Sequence, residues 1–260
     1  ADGRPKIPDA VLEKARGLSV EEIWGVLPAK GFPNQYEGNW RILHPEKKLV
    51  GRAVTAQFMP LRADLNDLVI GDLKRRAYQS AAHQWVIDQL QPGDVMVADM
   101  FGKEDGGSIV GDNLATAIKS ATVNGGLVVD GAIRDLEGIS PIDMGIYYRH
   151  AHPSAIAQVT LTGYNIPTRI GKATVLPGDM VFGDKTGLYF VPPSLIQEIL
   201  DKAEETHIHD EWTKANAADI RQAGARVLAA QQADGGWRQA MGADRNGDHG
   251  HAAEHLSFNR

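Results

Sequence analysis

Residues 95–135 constrain the fold more than any other part of the chain. VMVADM (95–100) is a short apolar strand, and a Gly-rich stretch, KEDGGSIVGD, follows it. LATAIKSATV comes next, a run of small and apolar residues that reads as a helix. Gly125 and Gly126 close that helix, and LVVDGAIRD leaves as a second buried strand ending in a turn. A strand, a helix and a strand in so few residues place the chain in the α/β class.

The flanking segments decide which kind of α/β fold. VGRAVTAQFMP (50–60) reads as a strand ended by Pro60. IDMGIYYRH (142–150), IAQVTLTGYNIP (156–167) and ATVLPGDMVFGDKTGLYFVP (173–192) read as short strands parted by PGD and GDKTG turns. Helical periodicity covers 66–90 and 193–214. PDAVLEKARGLSVEEIWGVL (8–27) reads as two short helices, with Ser19 and Glu22 as a capping box. GFPNQYEGNW (31–40) is a loop, aromatic enough to help shape a pocket. Helices interspersed with β-turn-β passages predict one mixed α/β domain over 1–214, not a purely parallel doubly wound sheet. Residues 215–260 form a polar extension, helical over 216–232.

Charge and residue usage narrow the function. A net charge of −6 and a pI near 5.8 argue against nucleic acid or an anionic membrane as partner. The chain has no cysteine, which excludes disulfides, thiolate metal sites and a Cys nucleophile. No run of about 18 apolar residues is present to span a membrane. The first residue is Ala1, read as a trimmed Met or a processed signal peptide. A cytoplasmic location is the expectation, with a periplasmic or secreted one left open.

Two motifs carry the chemistry. GDNLA (Gly111–Ala115) opens the helix, and DGAIRD (Asp130–Asp135) ends the following strand. A glycine that opens a helix exposes free backbone N–H groups, an anion site. The returning strand can bring Arg134 and Asp135 beside it. Asp135 can bind a hard divalent cation such as Mg²⁺. Arg134 supplies a fork of donors for a carboxylate or a developing oxyanion. Asp112 can accept or relay a proton through a metal-bound water, and the amides of Asn113 and Leu114 can hold a carboxylate. Together these suit a 2-oxo acid as its enolate forms. By spacing alone, a surface ion pair or a turn cap is the commoner outcome for Arg-Asp, and an N-cap for GDNL.

The order GRAVT, PGDVMVAD, GGSIVGDNLATA, GGLVVDGAIRD, IDMGI and VLPGDMVFGDKTG with VPP resembles the RraA-like family, over about residues 20–213. That family includes class II pyruvate aldolases, such as 4-hydroxy-4-methyl-2-oxoglutarate aldolase, and regulators of ribonuclease E activity. The resemblance implies a compact mixed-sheet α/β sandwich with a helical C-terminal extension. It implies a homotrimer or hexamer with sites between subunits. It implies a Mg²⁺ or Mn²⁺ ion on Asp135, substrate on Arg134, Asp112 near a metal-bound water, and the substrate carboxylate on the Gly111–Asn113–Leu114 backbone. An acidic residue from the neighbouring subunit is expected to approach the metal. Glu204, Glu205, Asp210 and Glu211 are the candidates, and Glu211 is preferred. The regulator branch loses the carboxylate after the Arg, whereas this chain keeps Asp135. The implied activity is a metal-dependent lyase that breaks a C–C bond in a 2-oxo acid, by retro-aldol cleavage or oxaloacetate decarboxylation. The alternatives are a regulatory binding protein and an enzyme for another hydroxy or oxo acid. Trp24 and the 31–40 loop depart from the usual early helix and imply a differently shaped pocket.

Other features read as structural. His207 and His209 are two residues apart and do not share a helix face. Lys74-Arg75-Arg76 reads as a solvated face. Arg62 and Asp64, in PLRAD, follow a strand end, where they can border the pocket. DRNGDHGHAAEH (244–255) has the alternating oxygens of a calcium loop but His249 at the sixth position, and reads as polar tail.

Overall fold

The computed structural model describes residues 3–233, and the chain divides into two units, Ala1–Glu204 and Glu205–Arg260. The first unit begins with α1 (Asp9–Ala15), α2 (Val20–Trp24), β1 (Tyr36–Glu37), β2 (Arg41–Ile42), β3 (Leu49–Pro60), α3 (Ala63–Arg75) and α4 (Ala82–Ile87). β4 (Asp94–Val110), α5 (Asp112–Thr122), β5 (Gly126–Ile133), α6 (Leu136–Ile139) and β6 (Gly145–Ala151) follow. Then come β7 (Val159–Tyr164), β8 (Thr168–Ile170), β9 (Ala173–Val175), β10 (Met180–Asp184) and β11 (Gly187–Val191). α7 (Ile196–Ala215) crosses into the second unit, which contains α8 (Ala217–Ala233).

Nine strands form one mixed sheet in the order β1-β11-β10-β3-β4-β5-β6-β2, with β7 also on β3. The four central strands, β3 to β6, are parallel and follow chain order. The flanking strands each pair antiparallel with their neighbours. The expected mixed α/β architecture is therefore the observed one.

Strand periodicity sorts the side chains. Val54, Ala56, Met96, Ala98, Leu127 and Val129 enter one core with residues of α4, α5 and α6. Ala53, Val95, Val97 and Val128 point the other way, onto the β8–β9 hairpin. Near-continuous apolar runs are what a sheet covered on both faces requires. A third cluster packs α1, α2 and the start of α7 on β10 and β11.

Several boundaries differ from the sequence reading. The capping box of α2 is present, with the Glu22 amide on Ser19 Oγ at 3.3 Å and the Ser19 amide on Glu22 Oε2 at 2.7 Å. The single helical stretch expected over 66–90 breaks into α3 and α4, because Ala77 takes φ +58° and ends the first helix. KEDGGSIVGD, read as a loop, mostly belongs to β4, whose pairing with β5 slips three times between Asp99 and Val110. Phe101, Gly102 and Gly106 have positive φ there, so the strand bulges without ending. The polar stretch 244–255 lies outside the described residues. No helix among the described residues is long and apolar enough to cross a membrane.

Candidate active site

Parallel strands deliver their C-terminal ends to one edge of the sheet, and β4, β5 and β6 end together. Val110 pairs with Ile133, and the Arg134 N–H still donates to the Val110 carbonyl at 3.0 Å. The chain then turns at Asp135, which has φ +58° and ψ +43°. That left-handed conformation is tolerated by Asp better than by most residues. The Asp135 carbonyl accepts the N–H groups of Gly138 and Ile139 at 2.9 and 3.0 Å, which starts α6.

The turn folds the Asp135 side chain back over Gly111. A Cβ on Gly111 would stand 2.4 Å from Asp135 Oδ2 and 3.2 Å from Arg134 Nε. The bare glycine is therefore the seat of the pair. Arg134 Nε lies 3.5 Å from Asp135 Oδ2, and each side chain is 42% exposed. A partly solvated pair at that separation adds little stability. Its donors and acceptors remain available to a ligand.

Gly111 also caps α5, with Asp112 in the first turn. Asp112 Oδ1 accepts the Asn113 N–H at 2.7 Å. That amide is thus engaged, whereas the Leu114 amide stands in the helix's first turn, without an intrahelical acceptor. α6 presses close here, since a Cβ on Gly138 would stand 2.8 Å from Asp112 Cβ. Two glycines therefore let Asp112, Arg134 and Asp135 gather at one strand edge. The carboxylate oxygens of Asp112 and Asp135 suit a hard cation that keeps most of its waters. No group of three or more His, Asp or Glu able to hold a metal occurs among the described residues. Such an ion would thus lean on Asp135, water and a donor from outside this edge. Glu211 is exposed on the part of α7 that belongs to the second unit, as are Glu205 and Asp210.

Sequence reasoning missed a charged cluster that absorbs the first Asp of DGAIRD. Arg149 on β6 donates from Nε to Asp130 Oδ1 at 2.9 Å and from Nη2 to Glu37 Oε2 at 3.1 Å. Its guanidinium lies over Trp40, 3.7 Å from the ring centroid. Asp130 and Glu37 in turn accept the Gly171 and Lys172 amides of the β8–β9 turn, at 3.3 and 2.6 Å. The 31–40 loop is thereby tied to the sheet through Glu37 and Trp40. Asp99, opposite Asp130 in register, is buried, and burial pushes its carboxyl above the usual range, with Asp130 adding to it. The signal was two acids and a cation in otherwise apolar strand runs.

The remaining candidates stand apart. Arg62 and Asp64 are exposed and pair with each other at 2.8 Å at the start of α3. Arg75 and Arg76 pair with Asp72 on a solvated face, as expected. Trp24 is exposed. His207 and His209 are exposed on α7. A cavity of about 410 Å³ lies at the opposite end of β4, lined by two matched pairs, Arg4 with Asp94 and Arg52 with Asp9, and by Lys6.

The family model for RraA-like proteins, described as Aldolase/RraA, matches residues 20–189. A protein of Halalkalibacterium halodurans named "Putative 4-hydroxy-4-methyl-2-oxoglutarate aldolase" is 29% identical over 169 residues, which is 64% of this chain and 79% of that one. Protein DlpA of Legionella pneumophila is 28% identical over 213 residues, which is 80% of this chain but 32% of DlpA, so the chain spans about a third of it. The crystal structure of Streptomyces coelicolor RraAS2, described as an unusual member of the RNase ES inhibitor RraA protein family, aligns with a TM-score of 0.65 at 27% identity. That alignment covers 81% of this chain and 98% of RraAS2.

Proposed function

Because the chain belongs to the RraA-like family, we propose that it is a divalent-metal-dependent lyase that breaks a C–C bond in a 2-oxo acid. The observation that carries this reading is the seating of Arg134 and Asp135 over bare Gly111, beside the N-terminus of α5. Asp135 would hold Mg²⁺ or Mn²⁺, with Asp112 acting through a bound water and Glu211 of the partner subunit as a further oxygen donor. The ion, when bound, supplies a Lewis acid for the oxo group.

The protein's own groups do the rest. The first-turn amides of α5, Leu114 foremost, receive the substrate carboxylate, and the Asn113 amide joins when Asp112 Oδ1 lets it go. The Arg134 guanidinium donates to the C2 oxygen as negative charge grows there, an interaction stronger in the transition state than in the ground state. In decarboxylation, the bond between C3 and the departing carboxylate breaks, CO₂ leaves and the electron pair becomes the enolate. No base is needed to start that step. In retro-aldol cleavage, the C4 hydroxyl must lose its proton as the C3–C4 bond breaks, and Asp112 relays that proton through water. The working assembly in this reading is a homotrimer or hexamer.

Oxaloacetate decarboxylation, assayed first with EDTA and then with added Mg²⁺ or Mn²⁺, tests the proposal. Turnover restored by metal above an Asp135→Ala control supports it. No turnover above that control with any metal overturns it. The likeness to RraAS2 then favours the second reading, a regulatory protein that binds another protein. Recovery of a stoichiometric partner would distinguish that case.

A further inference from the structure

We propose that His152 determines specificity at this site by donating its Nε2–H to the distal oxygen of a 2-oxo acid that carries a second polar group, an inference that rests on the reading above. Strand register carries it. Val110 pairs with Ile133, and Ile133 pairs with Ala151. The next residue on each strand is therefore Gly111, Arg134 and His152, side by side. The His152 N–H donates to the Ile133 carbonyl at 3.0 Å and holds that alignment past the end of β6. Neighbouring strands lie about 4.8 Å apart and residues in register project to the same face. His152 thus leaves the sheet on the side where Arg134 crosses Gly111, one strand further on.

The hydrogen bonds assign the ring's tautomer. The Ser154 N–H donates to His152 Nδ1 at 3.2 Å. The Gly106 N–H donates to Ser154 Oγ at 2.7 Å, which leaves the Ser154 hydroxyl proton for Nδ1 at 2.8 Å. A backbone N–H can only donate, so Nδ1 accepts and the ring's proton sits on Nε2. Asp105 Oδ1 is 3.8 Å from the same nitrogen, beyond hydrogen-bond reach. Among the described residues, no group takes Nε2, and the side chain is 32% exposed. A fixed Nε2–H is a donor, not a base. It suits a carboxylate or hydroxyl oxygen at the end of the substrate away from Arg134. This is the group in which a four- or five-carbon oxo diacid differs from pyruvate.

The test is calorimetric titration of the whole protein with Mg²⁺ present, using two ligands. 2-Oxoglutarate carries a distal carboxylate that it cannot lose through an enolate, and pyruvate has no distal oxygen. His152→Ala is expected to weaken 2-oxoglutarate binding on the order of tenfold or more, the usual consequence of losing a hydrogen bond to a charged group. Pyruvate affinity is expected to move less than about twofold. His152→Gln, whose amide nitrogen reaches the Nε2 position, is expected to restore most of the loss, and His152→Asn, which reaches only Nδ1, is not. Equal losses for both ligands, or no loss for either, overturn the proposal. Failure of both ligands to bind the wild-type protein overturns the reading of the site itself, and this inference with it. Melting curves of the three variants separate a folding defect from a binding defect.

Discussion

Replacing Gly111 with alanine separates the site's function from its stability. Gly111 has φ −114° and ψ −168°, extended backbone that any residue adopts. Alanine in such a position restricts the unfolded chain and favours folding by about 0.4–1 kcal/mol. The added methyl would stand 2.4 Å from Asp135 Oδ2, 3.2 Å from Arg134 Nε and 3.4 Å from Arg134 Cγ. Ordinary contact requires roughly 3.5 Å, so the carboxylate must retreat by about 1 Å. The obstacle is the far end of a side chain that is 42% exposed, and it can rotate away. The net change in stability should stay within about 1 kcal/mol, and Tm within about 4 °C for a unit of this size. Misplacing a reacting group by about 1 Å costs on the order of 10²-fold in rate. Gly111→Ala should therefore melt like the wild type, decarboxylate oxaloacetate about 10²-fold more slowly, and bind Mn²⁺ more weakly by electron paramagnetic resonance. Wild-type kcat/KM together with wild-type Mn²⁺ affinity would refute the reasoning, because the seat over Gly111 would then not be where Asp135 works.

Three further outcomes are expected. Arg134→Ala and Asp135→Asn should each lower kcat by about 10²–10³-fold or more with an unchanged circular dichroism spectrum, and a normal rate in either would sink the lyase reading. Asn is chosen at 135 because it tolerates the left-handed backbone while losing the charge. Asp179 is 2% exposed, and burial pushes its carboxyl up to about 6 from the ordinary 3.8. The folded state thus holds the proton more tightly than the unfolded chain. Its contribution to stability is full below pH 3.8 and is lost as pH rises through about 6, an effect of up to about 3 kcal/mol. Asp179→Asn should therefore gain stability over wild type between about pH 4 and pH 7 in urea titrations, and a gap that does not change with pH would contradict this. Arg149→Ala leaves Asp130 and Glu37 buried without their cation, their side chains being only 10% and 12% exposed. The expected loss is about 3–5 kcal/mol, read as a fall in Tm of roughly 10 °C, and a fall of only a degree or two would show that water replaces the guanidinium.

Some of this is legible in the amino-acid sequence alone. The strands around Val54, Val97 and Val129 are apolar because they are covered on both faces, and that pattern is local. The Ser19–Glu22 box is local too. The break after α3 was not legible, because Ala77 takes a left-handed conformation with no glycine to announce it. Nor was the continuation of β4 through KEDGGS, whose composition is that of a loop. It remains in the sheet because β5 offers a partner across three register slips.

The candidate site divides the same way. Arg134 and Asp135 stood out as a charged pair ending a buried strand, and Asp112 as an acid opening a helix. Local chemistry determined that much: a turn, an N-cap and a glycine. Only the tertiary structure decided what each charge faces. It gave Asp130 to Arg149, left Asp135 over Gly111, and brought His152 level with Arg134. Those outcomes depend on which strands are neighbours and in which register. Register comes from packing two faces of a whole sheet at once, and no short stretch of the chain contains that information.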